Sequence, residues 1–302
     1  MKEVLSFMNT DKSKIFILIA VALLVAIGFA VVRVILVVNY YDVEEGLYQS
    51  NAVGVTAVRV SFCVSLLVLG AVAFFIVKKR QFKKLPEANH GVVFTAALCG
   101  FMFISSAILV SYYFLPPLFK EIFGSGMKLS AYLKTGVNWK NLVLLITLLL
   151  AVIFSLVSSL YYFWCASTTT RLKKLNYKLL SLMPVFFSIF YLVYMYFKTD
   201  TVINSPERSM MQLSMVLVML YFVAEARFHF GIGSYKVYSA ISLITVATVV
   251  VACVPRFALT AFWVMPFSAE TVYSVLQLAV AAYILSRLCS ITCSKEPDRE
   301  EN

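Results

Sequence analysis

Read from its N-terminus, the chain alternates long apolar runs with short polar breaks, and within the runs hydrophobic positions are continuous rather than periodic. A helix needs about 20 apolar residues to cross a bilayer, within a range of about 17–25. Eight runs qualify: residues 15–38, 52–77, 91–115, 140–165, 179–197, 210–230, 237–254 and 271–291. Helices are the economical spanning element, because each satisfies its backbone hydrogen bonds within one segment, whereas a barrel requires short alternating strands. The pattern predicts an all-α polytopic transmembrane bundle over residues 15–292, flanked by a cytoplasmic segment 1–14 and a cytoplasmic tail 293–302. The first run follows Lys2, Lys12 and Lys14 in the manner of a signal sequence. It is longer than the 7–15 residues of such a core and lacks a small-residue cleavage site, so it reads as a retained helix.

Two connectors depart from simple polar loops. Residues 116–139 place Leu118, Phe119, Ile122 and Phe123 opposite Lys120 and Glu121, the spacing of a short amphipathic helix at the membrane interface. Residues 255–270 are almost wholly apolar, with Phe257, Phe262, Trp263 and Phe267, and read as interfacial anchoring or as a re-entrant piece capping the bundle. Pro184 marks or kinks the start of the fifth run.

Composition agrees with this picture. Of 302 residues, 61% are hydrophobic and 14% charged, against about 45–50% and about 25% in soluble domains. The net charge of +11 does not signal nucleic acid, since the basic residues lie in short clusters between apolar runs instead of on one face. Those clusters set an orientation. With the N-terminus in the cytoplasm, seventeen lysines and arginines fall inside and seven outside, which favours N-in and, after eight spans, C-in. Trp139, Trp164 and Trp263 sit at span ends or in adjoining loops, as an aromatic belt requires. No Asn-x-Ser/Thr acceptor occurs, which fits a bacterial inner membrane. The lipid bilayer is the expected partner, with a second membrane protein or another copy of the chain as further candidates.

Six cysteines occur without a C-x-x-C pair, and His90 and His229 are far apart, so neither a metal centre nor a cofactor is expected. Cys289 and Cys293, four apart, share a helix face where acylation is the alternative to simple burial. Neither a phosphate-binding loop, a zinc-protease motif nor a serine elbow is present.

Candidate chemistry therefore rests on ionisable residues within spans, which are costly there. Arg33 and Arg59 lie at matched depths, roughly 8–10 Å below the outer surface at 1.5 Å per residue. The loop between them carries Asp42, Glu44 and Glu45. The two arginines can snorkel outward and pair with these acids, form an internal ion-pair latch, or grip a carboxylate or phosphate. Glu225 and His229 share a helix face near the inner end of the sixth run, while Arg227 points elsewhere; the pair suits proton transfer or an ordinary polar helix end. Gly54, Ala57, Ser61 and Ser65 form a small-residue stripe that lets a neighbouring helix approach closely. Ser155 and Ser159 suit the same role. Three functional classes follow. A permease-like transporter of a small solute or lipid comes first, then a sensor or accessory subunit acting through helix contacts, then a lipid-modifying enzyme, for which no catalytic motif is found.

Overall fold

A computed structural model describes residues 11–42, 47–48, 53–77, 88–124, 136–167, 177–198 and 205–293. The described helices are α1 (Asp11–Tyr40), α2 (Val53–Ile76), α3 (His90–Tyr113), α4 (Leu115–Phe123) and α5 (Gly136–Ala166). They continue with α6 (Tyr177–Leu180), α7 (Met183–Phe197), α8 (Pro206–His229), α9 (Tyr235–Ala261) and α10 (Ala269–Cys293). Two short strands, β1 (Tyr41–Asp42) and β2 (Leu47–Tyr48), pair antiparallel between α1 and α2. Eight helical segments are long and apolar enough to cross a membrane, so the chain is a multi-pass membrane protein with an all-α bundle.

Six helices close a ring in the order α9, α10, α3, α5, α7, α8 and back to α9, with α1 and α2 packed on α9 from outside. Burial follows this arrangement and not hydrophobicity. α2 and α9 are equally apolar, yet 28% of the spanning window is buried in α2 and 72% in α9. Lipid is the solvent for the outer surface, so an apolar helix there has no need to be covered. The inner helices are free to carry polar groups that bond across seams. Gln277 of α10 shows this: its side-chain oxygen accepts from Ser214 of α8 at 2.8 Å and from the Cys253 thiol of α9 at 3.4 Å. On the α3–α5 seam, Ser155 donates to the Phe103 carbonyl at 2.8 Å.

The middle of the ring is filled by aromatic side chains. Phe103 stacks on Tyr162 at 5.2 Å and meets Phe187 edge-on at 5.2 Å. Phe187 touches Tyr273, and Tyr273 lies 4.2 Å from Tyr191. All five are buried to within 2%. These rings pack at the separations that favour edge-to-face and offset contacts, and they occupy the space that a central conduit would need at this level.

Two boundaries that bear on the site differ from the sequence reading. α8 begins at Pro206, four residues before the expected Met210, with proline in its first turn, where its missing N–H costs nothing. α9 runs through Pro255 to Ala261, where the sequence ends the seventh run at Val254. Residues 255–261 thus continue the helix, and a turn follows, with Trp263 at φ 60° and 93% exposed. The short helix expected in 116–139 is α4, which buries Leu115 and Ile122 and presents Phe119 and Phe123 outward; residues 125–135 lie outside the described part. Pro184 falls in the first turn of α7 and marks its beginning.

Small residues also act elsewhere than expected. Gly54, Ala57 and Ser61 are exposed and Ser65 half-buried, so their stripe faces away from the bundle. The Ser61 and Ser65 hydroxyls bond back to their own helix. The close approach on α2 is made by Gly70, where an added Cβ would lie 2.5 Å from Ile244 of α9.

Candidate functional site

The Arg33 end of the bundle is pinned by one arginine that serves three helices. Proline has no N–H to give to the carbonyl four residues before it, so Pro255 leaves the Val251 carbonyl without its helical donor. Arg33, on α1, fills that position: Nη1 donates to the Val251 oxygen at 2.5 Å, and Nη2 pairs with Glu207 Oε2 of α8 at 2.5 Å. Arg33 and Glu207 are 7% and 6% exposed. The other Glu207 oxygen accepts from the Tyr48 hydroxyl at 2.9 Å, which ties in β2. Burial, with the Glu207 carboxylate next to it, pushes the Tyr48 phenol well above its usual range, so it remains a donor.

Arg33 and Arg59 border the same gap, but its volume is about 20 Å³, little more than one water requires. Arg59 lies 5.5 Å from the Tyr48 ring. The matched depth of the two arginines therefore corresponds to different surroundings, and Arg33 already has its carboxylate. Asp42 stands in β1, and Glu44 and Glu45 lie outside the described residues. Glu225 lies within the sixth run as the sequence draws it, whereas Glu207 lies before that run's start at Met210 and joins the helix only in α8. The N-terminal proline signature at Pro206 was the available signal.

At the other end of α8, Glu225 is 1% exposed. It accepts from the Tyr283 hydroxyl at 2.7 Å and lies 3.8 Å from Arg287 Nε of α10. The Tyr161 and Tyr221 hydroxyls face the same carboxylate, and Tyr221 bonds Tyr238 at 2.8 Å. His229 is half-buried and meets the Tyr161 hydroxyl at 3.1 Å, so Tyr161 stands between the two residues that share the helix face. Arg227 is exposed, as its position predicts. Arg287, inside the eighth run, is buried at 6% exposure in α10.

Two adjoining cavities lie at the Arg33 end. One, of about 850 Å³, opens between α3, α10 and the turn after α9. Its walls include Met102, Leu109, Phe257, Val272 and Leu276, with Ser105, Thr260 and Trp263 among the few residues that bring a polar group. The other, of about 420 Å³, is bordered by Lys198, Arg208, Arg256 and Glu270. Met265, Pro266 and Phe267 line both, so the turn after α9 is their common wall. Helix ends deliver the charges: Lys198 caps α7, Arg208 is in the first turn of α8, Arg256 follows Pro255 in α9 and Glu270 opens α10. Glu270 is held between Lys198 at 3.4 Å and Arg256 at 3.1 Å. Arg208 Nη2 donates to the Met195 carbonyl at 2.6 Å and also to that of Tyr196.

In the sequence, Lys198, Arg208 and Arg256 all lie between the apolar runs, each next to a different one. Their convergence depends on the ring closing α7, α8, α9 and α10 onto one another. Among the described residues, no group of three or more His, Cys, Asp or Glu is arranged to hold a metal ion. Comparison with known proteins gives no match to a family model, a curated sequence or a solved structure.

Proposed function

We propose that the protein handles a lipid-like amphiphile, taken laterally from the leaflet at the Arg33 end, in a permease-like role. The observation that carries this reading is the 850 Å³ apolar cavity, whose volume falls within the range of about 300–1,000 Å³ typical of ligand pockets. An apolar chain is at home both in the bilayer and against Met102, Leu109 and Leu276. The aromatic filling of the ring favours a lateral route over a central one for a polar solute, and a lipid over a small hydrophilic substrate.

The test is to purify the protein in mild detergent and identify retained lipids by mass spectrometry, beside the variant Ser105→Trp. Ser105 is exposed at the cavity wall, so an indole there fills space without disturbing the core. The reading expects a defined lipid in the wild type and its loss in the variant. Equal retention by both proteins would overturn it.

A further inference from the structure

We infer that the 420 Å³ basic cavity receives a phosphate-type anionic group, and that this group is the head of the amphiphile whose chain occupies the apolar cavity. The second half of this inference rests on the lipid reading above; the first half does not.

Charge is the first support. Among the described residues that border the cavity, Lys198, Arg208 and Arg256 are the cations and Glu270 the acid, an excess of two positive charges. A phosphomonoester carries about −1.5 to −2 at neutral pH, which matches this excess. The second support is an unfilled donor. Arg208 is 9% exposed and spends Nη2 on two carbonyls at the end of α7, while its Nη1 is buried with no hydrogen-bond partner among the described residues. Arg256 likewise gives Nη2 to Ser268 at 2.9 Å and to Glu270, and leaves Nε unpartnered. A buried donor without an acceptor is expensive. The guanidinium groups that carry them, on different helices, border one cavity, with the two unpartnered nitrogens themselves covered by protein. Phosphate oxygens supply several acceptors at once, and guanidinium groups are shaped to meet them.

Continuity is the third support. The apolar and basic cavities share the wall Met265–Phe267, so a ligand bound in both would have one charged end and one apolar end. A free phosphate ion satisfies the same donors without using the apolar cavity, and the experiment must separate these sources.

The full chain in detergent is offered phosphatidic acid, phosphatidylcholine or inorganic phosphate, with binding followed by native mass spectrometry and thermal shift. Arg208→Gln, Arg256→Gln and Ser105→Trp are compared with the wild type. The expected result is a preference of about tenfold or more for phosphatidic acid over phosphatidylcholine, lost in each arginine variant, with all lipid binding reduced by Ser105→Trp. Should Arg208→Gln fail to fold, Lys198→Gln at the cavity rim serves in its place. Binding of inorganic phosphate that needs Arg208, with no preference among lipids, supports the anion site and overturns its assignment to a lipid head. Phosphatidic acid binding that needs Arg208 but ignores Ser105→Trp keeps the anion site and overturns lateral uptake. Equal binding of both lipids, sensitive to Ser105→Trp alone, keeps the lipid reading and overturns the anion site. No response to any of the three ligands overturns both.

Discussion

The two ends of α8 carry the same three kinds of residue in different settings. Glu207 near one end and Glu225 near the other stand about 27 Å apart along the helix axis. Each meets an arginine from another helix and a tyrosine hydroxyl. At the Arg33 end the arginine makes direct hydrogen bonds and also completes the backbone of α9. At the Arg287 end the ion pair is longer, at 3.8 Å, and the shortest bond to the carboxylate comes from a phenol at 2.7 Å. The first arrangement depends on one guanidinium; the second is distributed over several hydroxyls. Opposite charges buried together are thus not a single device. What each pair contributes depends on how many other groups share the load, since breaking a pair is costly chiefly through the charge it strands.

The comparison is broken most directly by Arg33→Ala. This change strands Glu207 and frees the Val251 carbonyl together, and the expected loss is about 3–5 kcal/mol, read as reduced stability in denaturant titration of the detergent-solubilised protein. A loss below about 1 kcal/mol would remove the three-helix pin from the argument. Next comes Tyr283→Phe, which takes the closest donor from a buried carboxylate and should cost about 1–3 kcal/mol. Tyr48→Phe, at a half-buried phenol of the other end, should cost less; the reverse order would show that the load is shared the other way.

Pro255→Ala sharpens the account of Arg33. An alanine at 255 regains the N–H that the Val251 carbonyl lacks. Introduced into Arg33→Ala, it should restore about 1 kcal/mol, while the same change in the wild type has a smaller effect. Additivity of the two substitutions in a double-mutant cycle would mean that the carbonyl is not shared between them. The smallest effect is expected from Arg59→Ala. Its one contact of this kind, with the half-buried Tyr48 ring, is worth about 0.5–1 kcal/mol, so the two arginines of matched depth should differ several-fold in stability measurements.

The eight spans were legible because bilayer thickness imposes a length on each apolar run, and that length needs no knowledge of neighbours. Helix ends were less so. The sixth run opens after Arg208 and the seventh closes before Pro255, which leaves Glu207 and Arg208 out of α8 and Arg256 out of α9. Facing was not legible at all for α2. A helix apolar on every side has no polar face to mark the exterior when the exterior is lipid, so the stripe from Gly54 to Ser65 gave no sign of pointing outward. Nor was the pairing of Arg33 readable, because its partners lie 174 and 218 residues further along. Acids near in sequence, Asp42, Glu44 and Glu45, were the natural candidates. Lys198, Arg208 and Arg256 were visible as cations, but only the ring of helices brings them to one cavity.

That separation of 174 residues between Arg33 and Glu207 also has a meaning in time. At a synthesis rate of about 5–20 residues per second, Arg33 enters the membrane roughly 10–35 s before its carboxylate has been made. During that interval the young α1 keeps its charge near the surface, where a long side chain reaches water. Arrival of α8 and then α9 supplies the carboxylate and the carbonyl that hold the guanidinium inside the bundle, so α1 reaches its final setting late in synthesis. A chain that stops short of α8 lacks both partners of Arg33, and one that stops between α8 and α9 lacks the Val251 carbonyl.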